Sequence, residues 1–106
     1  MDETHYNHLV AAAFQRLMRA VDQADPDLLD ADTTGDMVTL TAASGQKVIV
    51  NTQRATRQIW VAGKGMGIHF SVDPEGRWMD DKGKGLELFA FVADAVETIA
   101  GVRLDL

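Results

Sequence analysis

Five aspartates fall within a short stretch: Asp22, Asp25, Asp27, Asp30 and Asp32. Carboxylate oxygens are the ligands hard cations prefer, and several of them in water make a weak, exchangeable site. Holding like charges together also costs stability, which a bound cation relieves. Near the start of the chain, Asp2 and Glu3 stand beside His5 and His8, whose spacing puts both imidazoles on one helical face. Imidazole suits iron and other transition metals. Glu3 and His5 therefore join the aspartates as candidate ligands, while His8 reads more simply as an exposed histidine near a helix end. The alternative for the whole set is a solvated acidic face.

A second group carries recognition chemistry instead. In QKVIVNTQRATRQIWV (residues 46–61), alternation places Val48, Val50, Ile59 and Val61 on one strand face. Ile49, Asn51, Gln58 and Trp60 fall on the other, with Gln53 close by. An indole and an isoleucine among adaptable amides describe a docking surface. The competing description is a tryptophan half-covered by long neighbours. His69 is expected on the same face, and Arg54 and Arg57 lie in the adjoining loop, with Arg54 the candidate partner contact. Other chemistry finds little support. The chain has no cysteine, which excludes a disulfide framework, a thiolate metal site and a cysteine nucleophile. No Ser–His–Asp order or paired buried carboxylate is present. Gly63-Lys64-Gly65-Met66-Gly67 lacks the spacing and following helix of a phosphate loop and reads as a flexible loop. An iron-oxidising centre would need a closed site with His and Glu ligands, and the acids here sit where water reaches. No enzyme activity is expected.

The elements that position these groups follow from periodicity. Residues 3–23 give an amphipathic helix with Tyr6, Leu9, Val10, Ala13, Phe14, Leu17, Met18 and Val21 on its apolar stripe. Asp2 or Thr4 caps its start, and Asp25-Pro26-Asp27 ends it. Short alternating runs follow at 28–34, 37–42, 47–51, 58–62, 68–72 and 77–79, separated by turn residues. A second helix spans about 86–100, with Leu88, Phe91, Val92, Ala95, Val96 and Ile99 inward and Gly101 at its end. This order predicts an α+β fold, a two-layer α/β sandwich. Both terminal helices pack on one face of an antiparallel five- to six-stranded sheet, and the Trp60 face stays open.

At 106 residues the chain forms a single domain, 1–106. Its net charge of −6 is unevenly placed: residues 1–34 carry −5, residues 35–85 carry +2 and residues 86–106 carry −3. Nucleic acid and anionic membrane are poor partners for such a chain, and a cation or a basic protein surface is a better one. No apolar run approaches the roughly 20 residues of a membrane span. The start MDETHYNH is neither basic nor apolar enough for a targeting segment, so a cytoplasmic protein is expected.

With that order in hand, the chain resembles the frataxin family, in its short bacterial form. The segment NTQRATRQIW (51–60) looks like the family's N-x-Q followed by Q-[IV]-W. The element order, the acidic helix end with its acidic first strand, and Ile68-His69-Phe70 also match. Ala55 stands where many members have proline, and Arg16 and Arg19 stand where several carry acids, so the ridge is thinner here. The resemblance implies weak binding of iron, as Fe2+ with Fe3+ as a second candidate, at Glu3, His5, Asp22, Asp25, Asp27, Asp30 and Asp32. It implies no organic cofactor. It further implies modulation of iron–sulfur cluster assembly through a cysteine desulfurase and a scaffold protein. Asn51, Gln53, Arg54, Gln58, Trp60 and His69 are the expected partner-contact residues. A monomer is expected, with an iron-dependent oligomer as the other state. The alternative function is a metal-independent adaptor that uses the acidic ridge and the Trp60 face as two protein-docking surfaces.

Overall fold

The computed structural model describes residues 1–106. The elements run α1 (Glu3–Asp22), β1 (Leu29–Thr34), β2 (Met37–Ala42), β3 (Lys47–Gln53), β4 (Gln58–Gly63), β5 (Met66–Val72), β6 (Trp78–Asp80) and α2 (Leu88–Ala100). A single 3₁₀ turn, Arg54–Thr56, joins β3 to β4. The strands pair in chain order as one six-stranded antiparallel meander, and both helices cover the same face. The expected architecture and element order are thus observed, with the strand count at the upper of the two expected values.

Local chemistry explains the boundaries. The Asp2 carboxylate accepts the His5 amide at 2.8 Å, satisfying one of the free N–H groups of the first turn of α1. At the other end, Pro26 disfavours helical backbone at Asp25. The Asp25 side chain then accepts the Asp27 amide at 2.9 Å and turns the chain toward β1. The Glu87 side chain caps α2 by accepting from Phe89 and Ala90. One expectation fails here. Residues 63–67 are not a flexible loop but a two-residue hairpin turn, because Gly63 pairs with Met66 across it. Lys64 and Gly65 take φ of 53° and 71°, the positive angles that match a tight hairpin to the twist of its strands.

The core is built on registered β-branched side chains. Val38, Val50, Val61 and Ile68 stand opposite one another across β2 to β5, all buried beneath the helices. Tyr6 from α1 is fully buried. Its hydroxyl donates to the Gln58 carbonyl at 2.6 Å, and its ring meets Trp78 edge-on. Burial pushes the Tyr6 hydroxyl above its ordinary pKa. Trp78 is therefore a packing residue. α2 is buried on more sides than its predicted stripe. Phe89 and Ala93 are also covered, and the Arg16 guanidinium lies 4.0 Å above the Phe89 ring. Ile99, expected inward, is only half-buried at the end of the helix.

Helix α2 approaches the sheet closely at Gly63. A Cβ there would stand 2.9 Å from the Ala95 Cβ of α2, a separation that backbone movement alone can relieve. Gly63→Ala is expected to destabilise the fold by about 1–3 kcal/mol through overpacking. In thermal denaturation, each kcal/mol is worth about 4–8 °C for a chain of this size. Adding Ala95→Gly should recover much of the loss, and a Tm unchanged by Gly63→Ala would refute the tight contact.

Candidate functional site

The five aspartates expected on the ridge are spread over three consecutive segments. Asp22 closes α1, Asp25 and Asp27 lie on the connection, and Asp30 and Asp32 lie on β1; all five are exposed. None of them forms an ion pair. The acids that do are Asp36, Asp73, Glu75, Asp94 and Glu97, each with an arginine. Arg16 makes no ion pair with the ridge, and its guanidinium lies over Phe89. One oxygen of Asp25 is committed to the Asp27 amide, and one of Asp32 accepts the Thr34 hydroxyl at 3.3 Å. The remaining oxygens are free to act as hard ligands. No three His, Asp or Glu side chains converge closely enough to hold a metal ion together. The donor set therefore suits a hydrated cation held by few protein ligands at a time.

Glu3 and His5 stand apart from these aspartates. α1 has 20 residues, so Glu3 lies about 28 Å from Asp22 at about 1.5 Å per residue. Both are exposed beside Asp2. They form a second acidic position rather than part of one site.

The register assembles the other group. Asn51, Trp60 and His69 are direct cross-strand partners on β3, β4 and β5, and Gln53 faces Gln58 one row away. All five are half-buried on the face away from the helices. Asn51 and Gln53 make no side-chain hydrogen bond within the chain, which leaves their amides free for a partner. Gln58 is committed: it donates to Ser71 at 2.9 Å and to Asp81 at 3.1 Å, and accepts from Thr56 at 3.0 Å. Arg54 is committed too. It grips the Asp36 carboxylate through two nitrogens and also donates to Asn7, tying the β3–β4 connection to the β1–β2 turn and α1. That hydrogen bond holds the Asp36 carboxyl below the usual carboxylate range and raises Arg54. The Nδ1 of His69 is buried without a partner.

The structure joins two surfaces that the sequence presents separately. Ala31 pairs with Leu40 on the covered side, so Asp30 and Asp32 pair with Thr41 and Thr39 on the open side. From Asp32 one row of partners runs through Thr39, Ile49 and Ala62 to Gly67. At about 4.8 Å per strand, Asp32 on β1 is about 14 Å from the Trp60 strand. One partner surface can cover both.

Sequence reading missed three contributors. Gly67 makes room for Trp60: a Cβ at this position would stand 2.9 Å from the indole Nε1. Its position two residues before His69 already put it on that face. Asp36 was hidden in a turn signal. Asp80 accepts the backbone amides of Lys82, Lys84 and Leu86, shaping the connection into α2. Those bonds, led by Lys84, hold its carboxyl below the ordinary value.

Known proteins share this architecture along the whole chain. The protein described as iron-sulfur cluster assembly protein CyaY of Tolumonas auensis is 35% identical over 106 residues, covering 100% of this chain and 99% of that protein. Its namesake in Vibrio cholerae is 36% identical, covering 99% and 98%. The solved frataxin from Psychromonas ingrahamii superposes with a TM-score of 0.88 at 26% identity, covering 99% of this chain and 97% of that one. A trimeric yeast frataxin from Saccharomyces cerevisiae, solved in a ferrous complex, gives 0.64 at 21% identity, covering 96% and 88%, a likeness of fold. Residues 1–102 match the family model of the frataxin-like domain, and with full-length relatives above 30% identity the chain belongs to that family.

Proposed function

We propose that this protein binds iron weakly on its acidic ridge and modulates iron–sulfur cluster assembly by docking on a cysteine desulfurase and its scaffold protein. The observation that carries the reading is the ridge itself: five exposed aspartates, none ion-paired, in a chain that pairs acids with arginine elsewhere. The name shared by the full-length relatives, iron-sulfur cluster assembly protein, supports the pathway. Fe2+ is the primary cargo and Fe3+ the second. Asp22, Asp25, Asp27, Asp30 and Asp32 hold it, with Glu3 and His5 as a separate lesser position. Asn51, Gln53 and Trp60 are the free docking groups, flanked by His69. Gln58 and Arg54 hold the face in shape. The protein works without organic cofactor and as a modulator rather than an enzyme. Its working state is a monomer, with an iron-dependent oligomer as the second state.

An anaerobic iron(II) titration of labelled protein, followed amide by amide in two-dimensional NMR, tests the ridge. Broadening confined to Asp22–Asp32 with a weaker echo at Glu3 and His5 is the expected result. No residue-specific change at millimolar iron would remove metal binding from the proposal. The adaptor reading would then stand. It is favoured by the spread of the carboxylates over a helix end, a connection and a strand with no three converging. A desulfurase assay separates the two readings further, because only the iron reading expects the protein's effect to change on adding iron.

A further inference from the structure

Three of the six arginines and none of the four lysines are ion-paired. Arg54, Arg77 and Arg103 are tied to acids, whereas Lys47, Lys64, Lys82 and Lys84, all the lysines present, make no ion pair. Two of these lysines line the largest depression on the molecule, an open groove of about 660 Å³ at the end of the sheet. Trp60, Ala62, Met66 and Ile99 give it an apolar floor, and Lys47 and Lys64 are the only charged residues that line it. Met66 is one of the three large apolar side chains that remain exposed, at 42%. The geometry is fixed by the β4–β5 turn, where Lys64 is locked at φ 53° between the paired residues Gly63 and Met66. Lys47 belongs to the open face with Ile49 and Asn51, by the alternation of β3. Asp94, the acid whose charge Lys64 helps to stabilise, is already engaged by Arg103.

A groove with an apolar floor whose only charged lining residues are cations, in a chain of net charge −6, selects against the basic surfaces that the ridge attracts. We infer that this groove receives an acidic segment of a partner protein, whose carboxylates pair with Lys47 and Lys64 and whose apolar side chain lies against Trp60 and Met66. The inference deepens the proposed docking role of the Trp60 face and rests on it. Charge complementarity chooses the occupant. It also sets orientation: a partner that meets the ridge with a basic region and the groove with an acidic one can dock only one way round. A second copy of this chain could offer Leu28, 42% exposed among Asp25, Asp27 and Asp30. Two chains of charge −6 repel, however, which disfavours a second copy as the occupant.

The test uses the full chain, labelled for NMR, with two short synthetic peptides as probes, one alternating Glu and Leu and the other alternating Lys and Leu. The Glu–Leu peptide should shift Lys47, the Trp60 indole N–H, Lys64, Met66 and Gly67. The double variant K47E/K64E should weaken that binding at least about tenfold and turn the groove's preference toward the Lys–Leu peptide. Shifts that appear only elsewhere, or that survive K47E/K64E, would overturn the inference. So would groove resonances that move with protein concentration alone, since a second copy would then be the occupant. Binding of the purified scaffold protein separates this inference from the reading beneath it. Loss with W60A but not with K47E/K64E overturns the acidic segment and keeps the docking face. Loss with neither overturns the docking face, and loss with both supports the two together.

Discussion

Replacing four ridge carboxylates together, as D22K, D25K, D30K and D32K, is expected to weaken iron(II) binding at least about tenfold and to leave the chain folded. The magnitude follows from charge. A divalent cation about 4 Å from one carboxylate gains about 2 kcal/mol even in bulk water, where two unit charges gain about 1. Losing a single such contact exceeds the roughly 1.4 kcal/mol of a tenfold change. The variant takes the net charge from −6 to +2, since each of four substitutions adds +2. Folding should survive because these side chains are exposed and make no ion pair that would be broken. Asp25 gives up its bond to the Asp27 amide and Asp32 its bond to the Thr34 hydroxyl, each worth roughly 0.5–1.5 kcal/mol. The neutral set D22N, D25N, D30N and D32N should melt no lower than the parent, because like-charge repulsion is relieved. Isothermal titration for iron and circular dichroism for Tm read the two effects separately. Iron affinity unchanged in the lysine variant would remove the ridge as the site. The same variant should lose its effect in the desulfurase assay, with the largest loss at low salt, where exposed charges act over the longest range.

Removing the indole has the second large effect. W60A should cut affinity for the purified scaffold protein by about thirtyfold, the scale of a central aromatic contact worth about 2 kcal/mol. Its own stability should fall less than a core truncation would cost, because Trp60 is only half-buried. Gly67 offers an independent route to the same loss. A Cβ there would lie 2.9 Å, 3.0 Å and 3.2 Å from three atoms of the indole, so G67A must lift the ring from its place on β5. G67A should therefore weaken scaffold binding in the parent and do nothing further in W60A. That non-additivity, read as a double-mutant cycle, is the signature of one shared contact. Additive losses would mean that Gly67 acts on binding by some path other than the ring.

Most of the architecture is written in residue patterning. The period of α1, the alternation of the strands and the turn residues between them each dictate one element, and packing the apolar faces together leaves one arrangement. The misses have local causes. Gly63–Gly67 reads as a loop because glycine signals freedom, whereas here two of those residues supply the angles of a tight turn and a third admits Ala95. Phe89 and Ala93 fall outside the predicted stripe because α2 packs against more than the sheet. Site residues divide the same way. Trp60, Asn51 and His69 follow from alternation alone. The commitment of Arg54 to Asp36 and Asn7, and of Gln58 to Ser71 and Asp81, cannot, since those partners are distant in sequence. Alternation with Leu29 and Ala31 inward also turns Asp30 and Asp32 toward the open face, and the register of β1 on β2 sets which residues they stand beside there.

The strand order also bears on how the chain finds this shape. Every strand neighbours the one made just before it, so the sheet can grow by successive hairpins, each closing a short stretch of chain. Local pairing of this kind carries little loop-closure entropy and favours rapid assembly. Only α1 and α2 require distant segments to meet, when Tyr6 reaches Gln58 and Gly63 receives Ala95. The non-local event is then the seating of two helices on a nascent sheet. The open face takes no part in that step, which leaves it free to be shaped by binding.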